Sequence, residues 1–182
     1  MTSLTAFTVL VALVGLERVA ELVVTRRNEA WSRSRGGIES GAGHYPVMVV
    51  LHTALLGGAL AEAWLRRPEV PRLLAWSMLA LMLASQALRW WCIVSLGPRW
   101  STRVIVVPGL APVVSGPYRF LRHPNYLAVV VEGAALPLVH GSWVTAVVFT
   151  VANAALLRVR IRTEDAALAT LPGGAPVRQE AR

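Results

Sequence analysis

Lysine is absent from this chain of 182 residues, cysteine occurs once, and Asp and Glu together number 10. Each shortage excludes something. The lone Cys92 cannot close an internal disulfide, and with no second thiol or nearby His it reads as a packing residue; no metal site is expected. Charged side chains make up 15% of the chain, against roughly a quarter in soluble domains, too few to coat a globule in water. No basic residue precedes the first apolar run and no small-residue cleavage site follows it, so a removable signal peptide is not expected. No internal repeat is visible, and only the Pro- and Gly-bearing stretch 171–182 reads as a frayed tail behind a single domain, 1–170.

What is present is apolar. Hydrophobic residues reach 55% and the mean hydropathy is +0.53, concentrated in five stretches at 4–24, 45–65, 73–96, 126–139 and 143–157. A helix of about 20 residues crosses a hydrocarbon layer of about 30 Å, and the first three stretches meet that length. The last two are shorter, contain Gly133 and Pro137, and are separated only by His140-Gly141-Ser142, which predicts a tight helical hairpin. The expected fold is therefore all-α, an integral membrane bundle of about five transmembrane helices with ordered cytoplasmic loops.

All 18 basic residues are Arg, and the net charge is +8. A basic chain suggests nucleic acid first, but this charge is divided among short loops between apolar spans, so membrane lipid is the expected partner and nucleic acid is not. With five crossings and the N-terminus outside, Arg26, Arg27, Arg33, Arg35, Arg99, Arg103, Arg119, Arg122, Arg158, Arg160, Arg162, Arg178 and Arg182 fall inside. Only Arg66, Arg67 and Arg72 fall outside. The positive-inside rule selects this orientation in the cell membrane, with the C-terminus cytoplasmic.

Two inside segments carry unusual chemistry. Segment 26–44 mixes four Arg with Trp31, two Glu, several Gly and His44, and suits either a headgroup anchor or part of a substrate site. Segment 97–125 offers a short extended stretch at 105–107, turns at Pro108-Gly109 and Ser115-Gly116-Pro117, and then Tyr118 through Tyr126 leading into the fourth apolar run. Pro124 suits the first turn of a helix, so His123 sits at that helix's mouth, where free N–H groups favour an anionic ligand group. Tyr118, Asn125 and Tyr126 add hydrogen-bonding groups there; an interfacial aromatic belt with a capped helix is the plainer alternative. Beyond the fifth run come Arg158, Arg160, Arg162, Glu164 and Asp165, with Arg160 and Glu164 four apart on one helical face, either a site pair or an ordinary surface ion pair.

The stretch Gly116-Pro117-Tyr118-Arg119-Phe120-Leu121-Arg122-His123-Pro124-Asn125-Tyr126-Leu127, the apolar hairpin after it, and the closing Arg162-Thr163-Glu164-Asp165 together resemble the isoprenylcysteine carboxyl methyltransferase family over about 96–168. The Arg-His-Pro motif followed by Tyr is complete; the family's closing Glu-Glu is here Glu164-Asp165. The N-terminal part, with Glu17-Arg18, Glu21, Arg26-Arg27-Asn28-Glu29 and Gly41 through Pro46, is similar to a bacterial branch often associated with polyketide synthases that make alkylpyrones and alkylresorcinols.

The resemblance implies an integral membrane O-methyltransferase using S-adenosylmethionine, the cofactor entering from the cytoplasm and a lipophilic small-molecule or prenylated acceptor arriving from the bilayer. It implies that Tyr118, His123, Pro124, Asn125, Tyr126 and Glu164 hold the cofactor, and that Arg160 and Glu164 are catalytic, Arg160 orienting or activating the acceptor oxygen. Transfer from a sulfonium is an in-line displacement in which charge is lost, so alignment and exclusion of water can supply most of the acceleration.

Glu17, Arg18, Glu21, His52, Glu62, Arg89 and Glu132 lie near or inside spans, where ionisable groups are rare and face the protein interior. Of these Glu21 and Glu132, together with His44, are the candidates for acceptor binding. Two other classes share these features. An NADPH-dependent membrane reductase of a lipid would also meet a soluble cofactor, though no G-x-G-x-x-G follows a strand here. A non-enzymatic transporter or scaffold would also carry broken helices and buried charges, though no second copy of the motif occurs.

Overall fold

Helix propensity, rather than hydropathy, decides where the apolar runs end. In a computed structural model describing residues 3–173, the first run opens α1, Ser3–Arg33, which continues beyond the apolar stretch because 25–33 holds neither Gly nor Pro. The stretch 26–33, expected as loop, is therefore helix. It stops where Gly36 adopts φ 74° and Gly37 donates its N–H to the Ser32 carbonyl at 2.8 Å. A Cβ on Gly37 would lie 2.7 Å from that oxygen.

Downstream, β1, Ile38–Ser40, pairs antiparallel with β2, Val104–Val106, in the register Ile38 with Val106 and Ser40 with Val104. The extended stretch expected at 105–107 is displaced by one residue, and its partner comes from the other inside segment. Glu39 on this ribbon is held by Arg33 at 2.7 Å and Arg103 at 2.6 Å.

Four more helices complete the bundle: α2, Tyr45–Arg66; α3, Arg72–Leu96; α4, Pro124–Leu138; and α5, Trp143–Leu168. Pro124 opens α4 as expected. The last two helices form the expected hairpin, but α5 is not short: it runs 26 residues because Arg158, Arg160, Arg162 and Glu164 are good helix formers that carry the turn pattern on where hydropathy falls. Three helical segments are long and apolar enough to cross a membrane: Ala42–Arg66, Arg72–Arg99 and Trp143–Leu168. They do not include α1, whose middle holds Glu17, Arg18 and Glu21. The tail expected at 171–182 falls, from 174 onward, outside the described residues.

The helices alternate in direction, so their ends gather at two faces. At one, the Phe7 ring lies 5.2 Å from that of His140, and Gly141 approaches Pro68 and Val70. At the other, Asn28 donates to the carbonyls of Gly97 at 3.2 Å and Trp100 at 2.8 Å, beside the ribbon. Glu62 anchors the start of α5, accepting the N–H groups of Val144 at 3.1 Å and Thr145 at 2.8 Å, two donors that a helix N-terminus leaves free.

Between the faces, charges from three helices meet. Arg89 of α3 pairs with Glu132 of α4 and reaches Glu21 of α1 at 3.6 Å; Arg18 bridges Glu21 at 3.0 Å and Glu132 at 3.7 Å. Glu17 accepts from Gln86 and, at 2.5 Å, from the Trp90 indole. Each charge is thereby answered within the bundle, the condition for keeping it out of water.

The α4–α5 contact is close enough to require glycine: a Cβ on Gly133 would lie 2.0 Å from the Phe149 ring. Gly133→Ala is expected to destabilise the protein by about 1–3 kcal/mol through overpacking. Gly57→Ala, inside α2 where a Cβ meets nothing within 4 Å, should not lower the thermal unfolding temperature in detergent and is expected to raise it slightly.

Candidate active site

Ribbon, α4 mouth and the end of α5 enclose a cavity of about 140 Å³. The chain reaches it in three steps. Pro117 lies in a short 3-10 turn, Gly116–Arg119, that delivers Tyr118. Pro124 then starts α4 with His123 at its cap and Asn125 and Tyr126 in its first turn. Finally α5 brings Arg160 and Glu164 on one face, four residues apart.

The polar groups there are strongly coupled. Tyr126 donates its hydroxyl to Glu164, and the His123 and Tyr126 rings stack with centroids 5.5 Å apart. The His123 Nε2 lies 3.0 Å from Asp165 and its Nδ1 3.8 Å from Glu164. Asp165 also pairs with Arg122 at 3.0 Å, an exposed contact. Burial alone would lower the pKa of His123, but the Glu164 and Asp165 carboxylates outweigh it and raise the pKa, so the ring keeps its proton to higher pH than a free imidazole. Burial, reinforced by the neighbouring Cys92 thiol, pushes the Tyr118 hydroxyl above the usual phenol range and keeps it protonated.

A second cavity, of about 540 Å³, opens among α1, α2 and α5 and is mostly apolar, with Val11, Leu56, Val129 and Leu157 on its walls. The two cavities share five residues: Trp100, Ser101, Asn125, Tyr126 and Arg160. Arg160 stands in this common wall, 5% exposed. Its Nη2 donates to the Thr102 carbonyl at 2.9 Å, while its Nε and Nη1 are buried without a partner. Asn125 Oδ1, His123 Nδ1 and Trp100 Nε1 are likewise buried and unsatisfied. Buried donors and acceptors rarely stay unpaired, because each forfeits hydration worth about 1–3 kcal/mol. Here they converge on one space.

Of the residues expected at the site, Tyr118, His123, Asn125, Tyr126, Arg160 and Glu164 line the first cavity, and Pro124 starts the helix that presents them. Glu21 lines the apolar cavity, whereas Glu132 stands outside its lining, joined to Arg89. His44 reaches neither wall. It closes the short turn Ala42–His44 with its ring beside Gly41, where a Cβ would lie 2.2 Å from it. The reading of Cys92 as a packing residue agrees with its full burial. Sequence reasoning missed Trp100, Ser101 and Thr102, whose only signal was a Trp among Arg and Ser directly after an apolar helix. It also missed Asn153, a solitary amide in the fifth apolar run. Among the described residues no cluster of His, Cys, Asp and Glu could hold a metal ion.

The profile of the isoprenylcysteine carboxyl methyltransferase (ICMT) family matches residues 78–170, from within α3 to the end of α5. Along 162 residues, 89% of this chain and 96% of the relative, the sequence is 39% identical to a protein of Bacillus subtilis (strain 168) described as uncharacterized protein YpbQ. No solved structure matches.

The coupling of His123 to two carboxylates has a pH consequence. A raised pKa in the folded state means that the charged ring stabilises the fold fully below the unfolded value of about 6.5, and that this contribution disappears as pH rises through the folded value. The difference in melting temperature between wild type and His123→Gln should be largest below about pH 6.5 and shrink steadily toward alkaline pH; a pH-independent difference would contradict the assignment.

Proposed function

Given that the chain belongs to the isoprenylcysteine carboxyl methyltransferase family, and is thus a membrane methyltransferase, we propose that it transfers a methyl group from S-adenosylmethionine to an oxygen of a lipophilic acceptor. The cofactor enters from the cytoplasm, at the Arg-rich face, and the acceptor from the bilayer. The N-terminus lies outside and the C-terminus inside. The observation that carries this reading is the common wall: a mixed cavity at the helix mouth, carrying the polar groups of Tyr118, His123, Asn125 and Glu164, and a mostly apolar cavity among the helices touch at Arg160.

The residues of the first cavity suit the cofactor. Unsatisfied Asn125 Oδ1 and the Glu164 carboxylate answer an ammonium group, the N-terminus of α4 and the charged His123 answer a carboxylate, and the apolar side chains from Val104 to Leu110 suit a purine. When bound, S-adenosylmethionine supplies an electrophilic methyl on a sulfonium. The chain's own residues then have three tasks. Arg160 aims two free guanidinium N–H groups at the acceptor oxygen, holding a carboxylate, phenolate or enolate as the nucleophile. Tyr126, fixed to Glu164, keeps the wall in register between the two cavities. The apolar lining excludes water, which strengthens attraction between Arg160 and the oxyanion and removes a competing solvent shell.

Arg160→Ala is expected to keep the thermal stabilisation given by S-adenosylhomocysteine while lowering kcat/KM at least about 100-fold, measured with labelled donor and total lipid extract. Arg160→Lys should recover little, since an ammonium cannot replace a two-pronged contact. Stabilisation by NADPH in place of S-adenosylhomocysteine would refute methyl transfer.

A further inference from the structure

The apolar cavity contains polar groups that methyl transfer at Arg160 leaves without a task. Arg18, Glu21 and Arg89 line it too, but they answer one another. His52 and Asn153 do not. Asn153 is 2% exposed, lines the cavity, and its Oδ1 is buried with no partner. His52 has its Nδ1 2.9 Å from the Met48 carbonyl. A carbonyl only accepts, so the proton sits on Nδ1 and the Nε2 lone pair is left without a partner in the protein.

Both residues line the same cavity, and helix geometry puts them within about one turn of the same level. The His52 ring meets Phe149 edge-on, centroids 5.3 Å apart, and Phe149 and Asn153 are one turn apart on the same face of α5. Arg160 lies seven residues beyond Asn153, two turns along that face, about 10 Å away at about 1.5 Å per residue. Between them the cavity wall is Leu156 and Leu157. The lining is therefore polar at Arg160, apolar for two turns, and polar again at Asn153 and His52.

We propose that His52 and Asn153 are specificity-determining residues that bind a hydroxyl on the acceptor lipid, about 10 Å along its chain from the oxygen held by Arg160. A hydroxyl has one proton and two lone pairs: it donates to His52 Nε2 and accepts from the Asn153 amide N–H, the amide's O and N being exchangeable by a flip of the side chain. A purely hydrocarbon chain would leave the amide unpaired in an apolar site, a penalty that only lipids carrying a matching group avoid. The assignment rests on the methyl-transfer reading for the identity of the oxygen at Arg160; the hydroxyl contact itself is independent of turnover.

The test compares binding of palmitic acid with palmitic acids hydroxylated next to the carboxyl, about 10 Å along the chain, or at the far end, by displacement of a fluorescent fatty acid from the purified full-length protein. The mid-chain isomer is expected to bind about ten-fold more tightly than palmitic acid, the other isomers no more tightly. Asn153→Leu and His52→Phe should each erase that preference, whereas His52→Gln, which keeps an acceptor, should retain it. Stabilisation by S-adenosylhomocysteine, retained in every variant, reports an intact fold. Equal binding of all four acids, no binding of any, or a preference unchanged in Asn153→Leu and His52→Phe would overturn the proposal. Loss of methylation with the preference intact would instead count against the methyl-transfer reading alone.

Discussion

Charge that enters the apolar layer must find its partner there. Arg18 and Arg89 do so with Glu17, Glu21 and Glu132, and because these residues come from α1, α3 and α4, answering the charge also fixes three helices at one level. The consequences run along the helices in both directions. Pro124 lies about two turns from Glu132, so clamping Glu132 to Arg89 sets the height at which the mouth of α4 opens. Glu21 lies about three turns from Arg33, so the same clamp sets where α1 ends and where the β1 strand is handed to β2. A shift of one turn in α1 would carry Asn28 away from the carbonyls of Gly97 and Trp100.

Against this background the unsatisfied groups stand out. Every charged group in the clamp has an ion-pair partner, although Arg18 Nε, Glu21 Oε1 and Arg89 Nε make no hydrogen bond; Arg160 has no carboxylate partner at all and keeps its Nε and Nη1 buried and free. A fold that pairs the guanidiniums of Arg18 and Arg89 inside the bundle does not leave a third half-open for want of carboxylates, since Glu164 stands one turn away and is bonded to Tyr126 instead. What separates scaffold from site is the carboxylate: Arg18 and Arg89 have one and Arg160 does not.

Much of this was legible in the sequence, for definite reasons. Pro124 marks a helix start because its ring presets φ and its missing N–H is one that no helix would use. His140-Gly141-Ser142 marks a reversal because Gly141 can take the φ of 71° that the turn needs. The spacing of Arg160 and Glu164 puts them on one helical face, and both line the first cavity, though Glu164 bonds Tyr126 rather than Arg160. Other features left no comparable signal. Three residues, Ile38–Ser40, make a strand only because β2 lies across from them, and a pairing so short has no period to read. The full length of α5 does not show in the hydropathy, because Arg and Glu continue a helix nearly as well as Leu does while ending an apolar run. His44 neighbours site segments in the chain, and no sequence period foretells the turn that lays its ring beside Gly41.

The choice of arginine at the common wall follows from the same electrostatics. A lysine placed among Leu156, Leu157 and Tyr126 would lower its pKa and shed its proton rather than remain charged in an apolar surround, whereas a guanidinium stays charged. Its delocalised charge also tolerates the aromatic ring of Tyr126, 5.9 Å from the Arg160 carbon. In the proposed reaction a permanent cation would be useful on this wall, because neutralisation of a sulfonium by an oxyanion removes charge from the reacting pair. The nucleophile must therefore be held as an anion without being so tightly solvated that it stops reacting. For the proposed methyl transfer, two N–H groups in a dry wall would meet that requirement where water would not, because they would orient the oxygen without surrounding it.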